Sequence, residues 1–82
     1  MLEKQKFPIE LIYVPSKRVK TLDTAKVLSL AEDILENGQT TPISLRADGG
    51  RFVLVEGYHR LEAMRSLGED LIQGFLVGVR LH

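Results

Sequence analysis

Eleven basic and eleven acidic side chains in 82 residues leave a formal net charge of zero, so the chain lacks the basic excess typical of a nucleic-acid-binding domain. That length holds one core and not two, and 44% hydrophobic with 27% charged residues is ordinary globular composition. The absence of cysteine excludes disulfides, thiolate catalysis and zinc–thiolate sites.

The first residues are polar, and 1–6 are expected to be flexible at the edge of a single domain spanning 1–82. Phe7 to Val14 is rich in β-branched and aromatic residues, with Pro8 near its start, and reads as a strand suited to a sheet edge. Pro15 to Thr21 reads as a basic loop. Asp23 is a good N-cap for a helix carrying Val27, Leu30, Ala31, Ile34 and Leu35 at helical spacing, with Gly38 as its C-terminal cap. Pro42 to Arg46 and Arg51 to Glu56 read as two strands of a hairpin turned by Asp48-Gly49-Gly50. A second helix is expected from Tyr58 to Leu67, with Leu61, Met64 and Leu67 on one face and Gly68 behind it. Leu71 to Leu81 reads as a last strand in which Gly74 and Gly78 allow bends. The order is β-α-β-β-α-β, an α+β class. No stretch reaches the ~20 apolar residues of a membrane span, and no signal-peptide pattern opens the chain. The expectation is a cytoplasmic protein with no membrane partner.

The segment around Glu56-Gly57-Tyr58-His59-Arg60 concentrates the chemistry. An apolar strand meets a glycine, and a helix begins with His59 and Arg60 in its first turn. The first N–H groups of a helix have no internal partner and carry partial positive charge, so such a terminus takes anions. Arg60 adds a planar donor fork and His59 a further donor. The competing reading is a strand–helix junction whose Arg60 and His59 are merely solvated. Glu56 is open to several roles: helix entry, orientation of Arg60, a metal ligand, or a catalytic base. On the first helix, about 100° per residue places Lys26, Ser29 and Asp33 within one arc beside the apolar stripe. There a lysine and a hydroxyl suit phosphate oxygens, or else form a solvated edge with no role.

Both constellations resemble one superfamily. Leu22-Asp-Thr-Ala-Lys-Val-Leu-Ser-Leu30 is similar to the first-helix pattern L-D-P-A-K-V-x-S-L of sulfiredoxins. Asn37-Gly-Gln-Thr-Thr-Pro-Ile43 is similar to the G-x-x-x-P-I segment shared by ParB N-terminal domains and sulfiredoxins. Gly57-Tyr-His-Arg60 resembles the sulfiredoxin G-C-H-R signature, the D-G-x-H-R form of ParB-like free-serine kinases, and the G-E-R-R of partition proteins. The resemblance covers roughly residues 8 to 79 and implies a compact ParB/sulfiredoxin-like fold that binds a nucleotide. Carried over by position, it implies phosphate contacts from Lys26, Ser29, His59 and Arg60, with Gly57 and Tyr58 in the signature. Arg18, or Lys17, would be the basic residue before the helix. Asp33 stands where sulfiredoxins carry threonine.

The departures limit the activity. Tyr58 occupies the position of the sulfiredoxin cysteine, so cysteine-dependent sulfinic-acid repair is excluded. The arginine-rich partition motif is missing, and Pro15 to Leu22 lacks the glutamate that free-serine kinases use as a base. The reading is therefore a nucleotide-binding domain taking ATP or ADP with magnesium. It would act as a switch or as a phosphotransferase such as an ATPase or small-molecule kinase, with Glu56 as the catalytic candidate and no protein-held metal set. A protein partner is compatible with this. The alternative is a nucleic-acid-associated ParB-like domain of a partition or mobile-element system, binding DNA through Lys4, Lys6, Lys17, Arg18 and Lys20. A third reading is an interaction domain that kept the fold and lost the site.

Overall fold

The computed structural model describes residues 3–78. Five strands form one mixed sheet in the order β1-β5-β3-β4-β2. The strands are β1 (Gln5–Pro8), β2 (Ile12–Tyr13), β3 (Ile43–Asp48), β4 (Arg51–Glu56) and β5 (Leu71–Leu76); the helices are α1 (Ser16–Val19), α2 (Thr24–Asn37) and α3 (Tyr58–Ser66). The hairpin partners β3 and β4 are antiparallel, as are β1 and β5, while β3 runs parallel to β5 and β2 parallel to β4. Among the described residues no helix is long and apolar enough to cross a membrane.

The ladder register explains where the core sits. Phe7 pairs with Ile72, Ile43 with Gly74, and Leu45 with Leu54. Paired residues share a face, so these side chains line one side of the sheet. Ala31 and Ile34 of α2 and Leu61, Ala63 and Met64 of α3 join them in one buried cluster. Ile43, Leu45, Leu61 and Ile72 are its fully buried large side chains, each contributing roughly 1.5–3 kcal/mol by leaving water. Gly74 packs within β5, where an added Cβ would lie 3.1 Å from both the Ile43 side chain and its carbonyl oxygen. Its role is close approach, in place of the expected bend.

The α+β class, both main helices and the hairpin stand as expected, and five details differ. The expected strand from Phe7 to Val14 is two strands separated by a 3₁₀ turn at Ile9–Leu11, and the two lie at opposite edges of the sheet. Gln5 and Lys6, grouped above with the flexible start, pair with Gly74 and Gln73. The basic loop contains the single helical turn α1. Leu35 is 73% exposed, because the α2 face toward the sheet is carried by Ala31 and Ile34. The last strand ends at Leu76; Val79, Arg80 and Leu81 lie outside the described residues.

Candidate phosphate site

The two helices begin in chemically different ways. At the start of α2 the Asp23 carboxylate accepts the N–H groups of Ala25 at 3.0 Å and Lys26 at 3.3 Å, so this terminus is satisfied by its own side chain. At the start of α3 stands Gly57, with no side-chain cap. Its φ of 103° and ψ of 32° lie in a region that other residues rarely enter. The packing is equally restrictive: a Cβ on Gly57 would come within 2.5 Å of Ile43 Cγ2. Glycine is thus fixed by conformation and by space. The first-turn N–H groups of α3, at Tyr58, His59 and Arg60, are left with no side-chain acceptor at the N-cap, and the helix dipole adds to their positive potential.

A cleft of about 300 Å³ opens at this junction, lined by Arg18, Thr21, Lys26, Leu30, Glu56, Gly57, Tyr58, His59 and Arg60. Among the described residues the ion pairs are Arg51–Asp48 and Arg65–Glu62, both outside this lining. Arg18, Lys26 and Arg60 therefore bring three positive charges to the cleft with no paired carboxylate. Glu56, exposed at the end of β4, is the carboxylate in the lining. Tyr58 is 7% exposed and belongs to the hydrophobic cluster. It anchors α3 from below, an apolar task that the rest of the first turn does not share.

Two long-range hydrogen bonds hold the cleft together. Ser44 pairs with Glu56 and Leu45 with Leu54, so a bulge leaves Val55 without a partner on β3, and β2 ends at Tyr13. The Arg18 guanidinium donates to the Val55 carbonyl, continuing the ladder with a side chain and fixing the segment before α2 over the end of β4. The second bond runs from the Asp23 backbone N–H to His59 Nε2 at 3.0 Å. It joins the N-cap of α2 to the first turn of α3. Because Nε2 accepts this bond, the proton of a neutral His59 ring resides on Nδ1.

The structure thus brings Arg18, Lys26, Glu56, Gly57, Tyr58, His59 and Arg60 to one cleft. Ser29 is exposed on α2 and does not line it. Asp33 accepts a hydrogen bond from Asn37 at 2.9 Å on the outer surface of the helix. Two participants escaped sequence reasoning. Thr21 lines the cleft, and its hydroxyl donates to the Arg18 carbonyl at 2.7 Å; Asp23 offers its own amide to His59. A threonine closing a basic loop is a weak signal, and a backbone amide leaves none.

Comparison with known proteins agrees with this fold. A sulfiredoxin from Arabidopsis thaliana superposes with a TM-score of 0.83 at 28% identity, covering 94% of this chain and 86% of its own. The C-terminally truncated chromosome-partitioning protein ParB from Caulobacter crescentus, complexed with CTP-gamma-S, gives a TM-score of 0.81 at 22% identity, covering 95% of this chain and 46% of its own. A free serine kinase mutant in complex with ADP gives 0.76 at 14% identity, covering 90% of this chain and 30% of its own. The chain therefore spans less than half the length of the last two. No curated protein matches it by sequence. The family model of the ParB N-terminal domain matches residues 3–80, nearly the whole chain, and the chain belongs to the ParB N-terminal domain family.

Proposed function

We propose that the cleft binds the phosphates of a nucleotide, ATP or ADP, at the open start of α3. The observation that carries the reading is the uncapped Gly57 terminus in a cleft that also holds Arg18, Lys26 and Arg60. Free N–H donors, a favourable dipole and unpaired guanidinium and ammonium groups are the chemistry a phosphate needs. Structural neighbours complexed with CTP-gamma-S, ADP and AMP support it. Magnesium fits the donor set in one form. The described residues contain no cluster of three or more acidic, His or Cys groups, but magnesium is commonly held by one or two carboxylates together with substrate phosphates. Glu56 would supply that carboxylate, and the ion would offset phosphate charge. In a switch, the ligand would compete with the Val55 carbonyl for the Arg18 guanidinium and so alter the hold on the segment before α2. In a phosphotransferase, Glu56 would accept the proton of an attacking hydroxyl.

The test is calorimetric titration of ATP and ADP into the native chain, Arg60→Ala and Lys17→Ala. A charge-assisted bond from an ordered helical turn contributes roughly 1.5–3 kcal/mol, so Arg60→Ala is expected to weaken binding by about tenfold or more. Lys17 is exposed on α1 and does not line the cleft, and its loss is expected to change affinity by less than about twofold. Equal losses in the two variants, or no binding by the native chain, would contradict the proposal.

A further inference from the structure

We propose that the far ends of α2 and α3, away from the phosphate cleft, form a docking groove for an extended basic segment of a protein partner. Two adjoining hollows of about 460 and 350 Å³ lie there and share Glu69, Asp70 and Leu71 in their linings. Ile34 and Met64 give the first hollow an apolar wall, and Pro8 and Ile9 give one to the second. Leu71, common to both, is 46% exposed. The walls are held by the chain itself. The Gln39 side chain accepts the Gln73 N–H at 2.7 Å and donates to the Gln73 carbonyl at 2.9 Å, which fixes the exit of α2 against β5. The Ile9 N–H donates to the Asp70 carbonyl at 2.9 Å, which fixes the turn after β1 against the segment after α3. A preformed groove spares a partner the cost of ordering it.

Charge selects the occupant. Glu10, Glu69 and Asp70 are exposed in the lining. The ion pairs among the described residues are Arg51–Asp48 and Arg65–Glu62, so these three carboxylates are unpaired. Arg65, also in the lining, is engaged by Glu62, which leaves Lys6 as the cation facing them. The helices add to the negative potential. Gly38, the C-cap of α2, lines the first hollow, and the last turn of α2 holds no basic residue. Glu69 stands two residues past Leu67, the C-cap of α3. Carboxylates oppose the dipole at a helix C-terminus, where a cation is favourable. The chain thus sets acid where its own helices favour base, and an incoming cation relieves the conflict. Among the described residues no three acidic or histidine groups converge on a point, so the negative charge is spread along the groove. Spread charge beside apolar walls suits arginine and lysine, whose methylene stems lie on apolar surface while the head reaches a carboxylate. Alternate side chains of an extended segment point the same way, so basic residues two apart serve adjoining hollows.

The experiment titrates the isotope-labelled full chain, followed by NMR, with a short peptide of arginines alternating with alanines. Its glutamate counterpart and spermine serve as controls. Saturating shifts are expected at the amides of Gln39, Glu69, Asp70 and Leu71 with the arginine peptide, and none with the glutamate peptide. Glu69→Gln combined with Asp70→Asn is expected to weaken the arginine peptide about three- to tenfold, while Arg60→Ala in the phosphate cleft leaves it unchanged. Because the two carboxylates oppose the α3 dipole, the same double variant is expected to raise Tm by about 2–5 °C. Affinity that falls while Tm rises separates a binding role from a structural one; a fall in both would overturn the proposal. Four other results would also overturn it: no saturable shift at millimolar peptide, shifts centred on Glu32, Asp33 and Glu36 of α2, spermine binding as tightly as the peptide, or affinity unchanged in the double variant. Shifts at the groove amides that grow with chain concentration alone would give the groove to a second copy, and would contradict a separate partner.

Discussion

The starts of α2 and α3 lie side by side, joined through the bond from Asp23 N–H to His59, yet they are built for opposite ends. Asp23 turns its carboxylate inward and satisfies the amides of Ala25 and Lys26. Gly57 has no side chain to turn, and the packing of Ile43 beneath it leaves no room for one. A self-capped terminus stabilises its helix and has little left for an anion. An uncapped terminus forgoes that stability and keeps its donors for a ligand. The chain places the stable terminus beside the open one and ties them together, which brings Lys26, in the first turn of the capped helix, to the cleft at the start of the uncapped one.

Four changes would break or sharpen this contrast. The largest effect is expected for Gly57→Ala. A non-glycine residue at φ 103°, with its Cβ 2.5 Å from Ile43 Cγ2, combines backbone strain with overpacking and should cost roughly 2–5 kcal/mol. Urea denaturation of the variant would measure it, and a loss under about 1 kcal/mol would show that the junction yields easily. Asp23→Ala should cost about 1 kcal/mol of stability. A similar loss in ligand affinity on top of that would mean that α2, too, contributes its terminus to the anion.

The bond between the two starts gives a finer test. His59→Ala removes the acceptor for the Asp23 amide and should cost about 0.5–1 kcal/mol. His59→Gln keeps an acceptor oxygen at similar reach and is expected to recover most of it. Hydrogen exchange at the Asp23 amide reads the bond itself: fast in His59→Ala, slow in His59→Gln and in the native chain. Equal exchange in all three would remove the tie from the account. The smallest effect concerns duplex DNA. With no net positive charge, binding is expected to be weak, with a salt slope of about −0.9 for each phosphate neutralised. Sub-micromolar duplex binding at physiological salt would move the functional role away from the cleft.

What the sequence made legible was what local chemistry decides. Asp23 and Gly38 bracket α2 because capping depends on a few neighbouring residues, and Gly57, His59 and Arg60 announce a helix start because they fall within four consecutive residues. What stayed hidden depends on distant partners. Nothing between Phe7 and Val14 tells that β1 pairs with β5 and β2 with β4, since strand propensity is indifferent to which edge receives the strand. Leu35 fits the helical period yet faces solvent, because Ala31 and Ile34 carry the buried face of α2. The grip of Arg18 on Val55 needs a bulge that only the β3–β4 register creates. The shared arc of Lys26 and Ser29 was visible, but that only Lys26 lines the cleft follows from where α3 docks.

The central claim is that the open start of α3, and not the capped start of α2, receives phosphate. Titrating the isotope-labelled chain with inorganic tripolyphosphate, and following its backbone amides by NMR, tests this most directly. The account predicts the largest saturating shifts at the amides of Tyr58, His59 and Arg60, with smaller ones at Ala25 and Lys26, whose N–H groups the Asp23 carboxylate already holds. Shifts centred on Ala25 and Lys26, or spread over Lys17 and Lys20 without saturation, would contradict it.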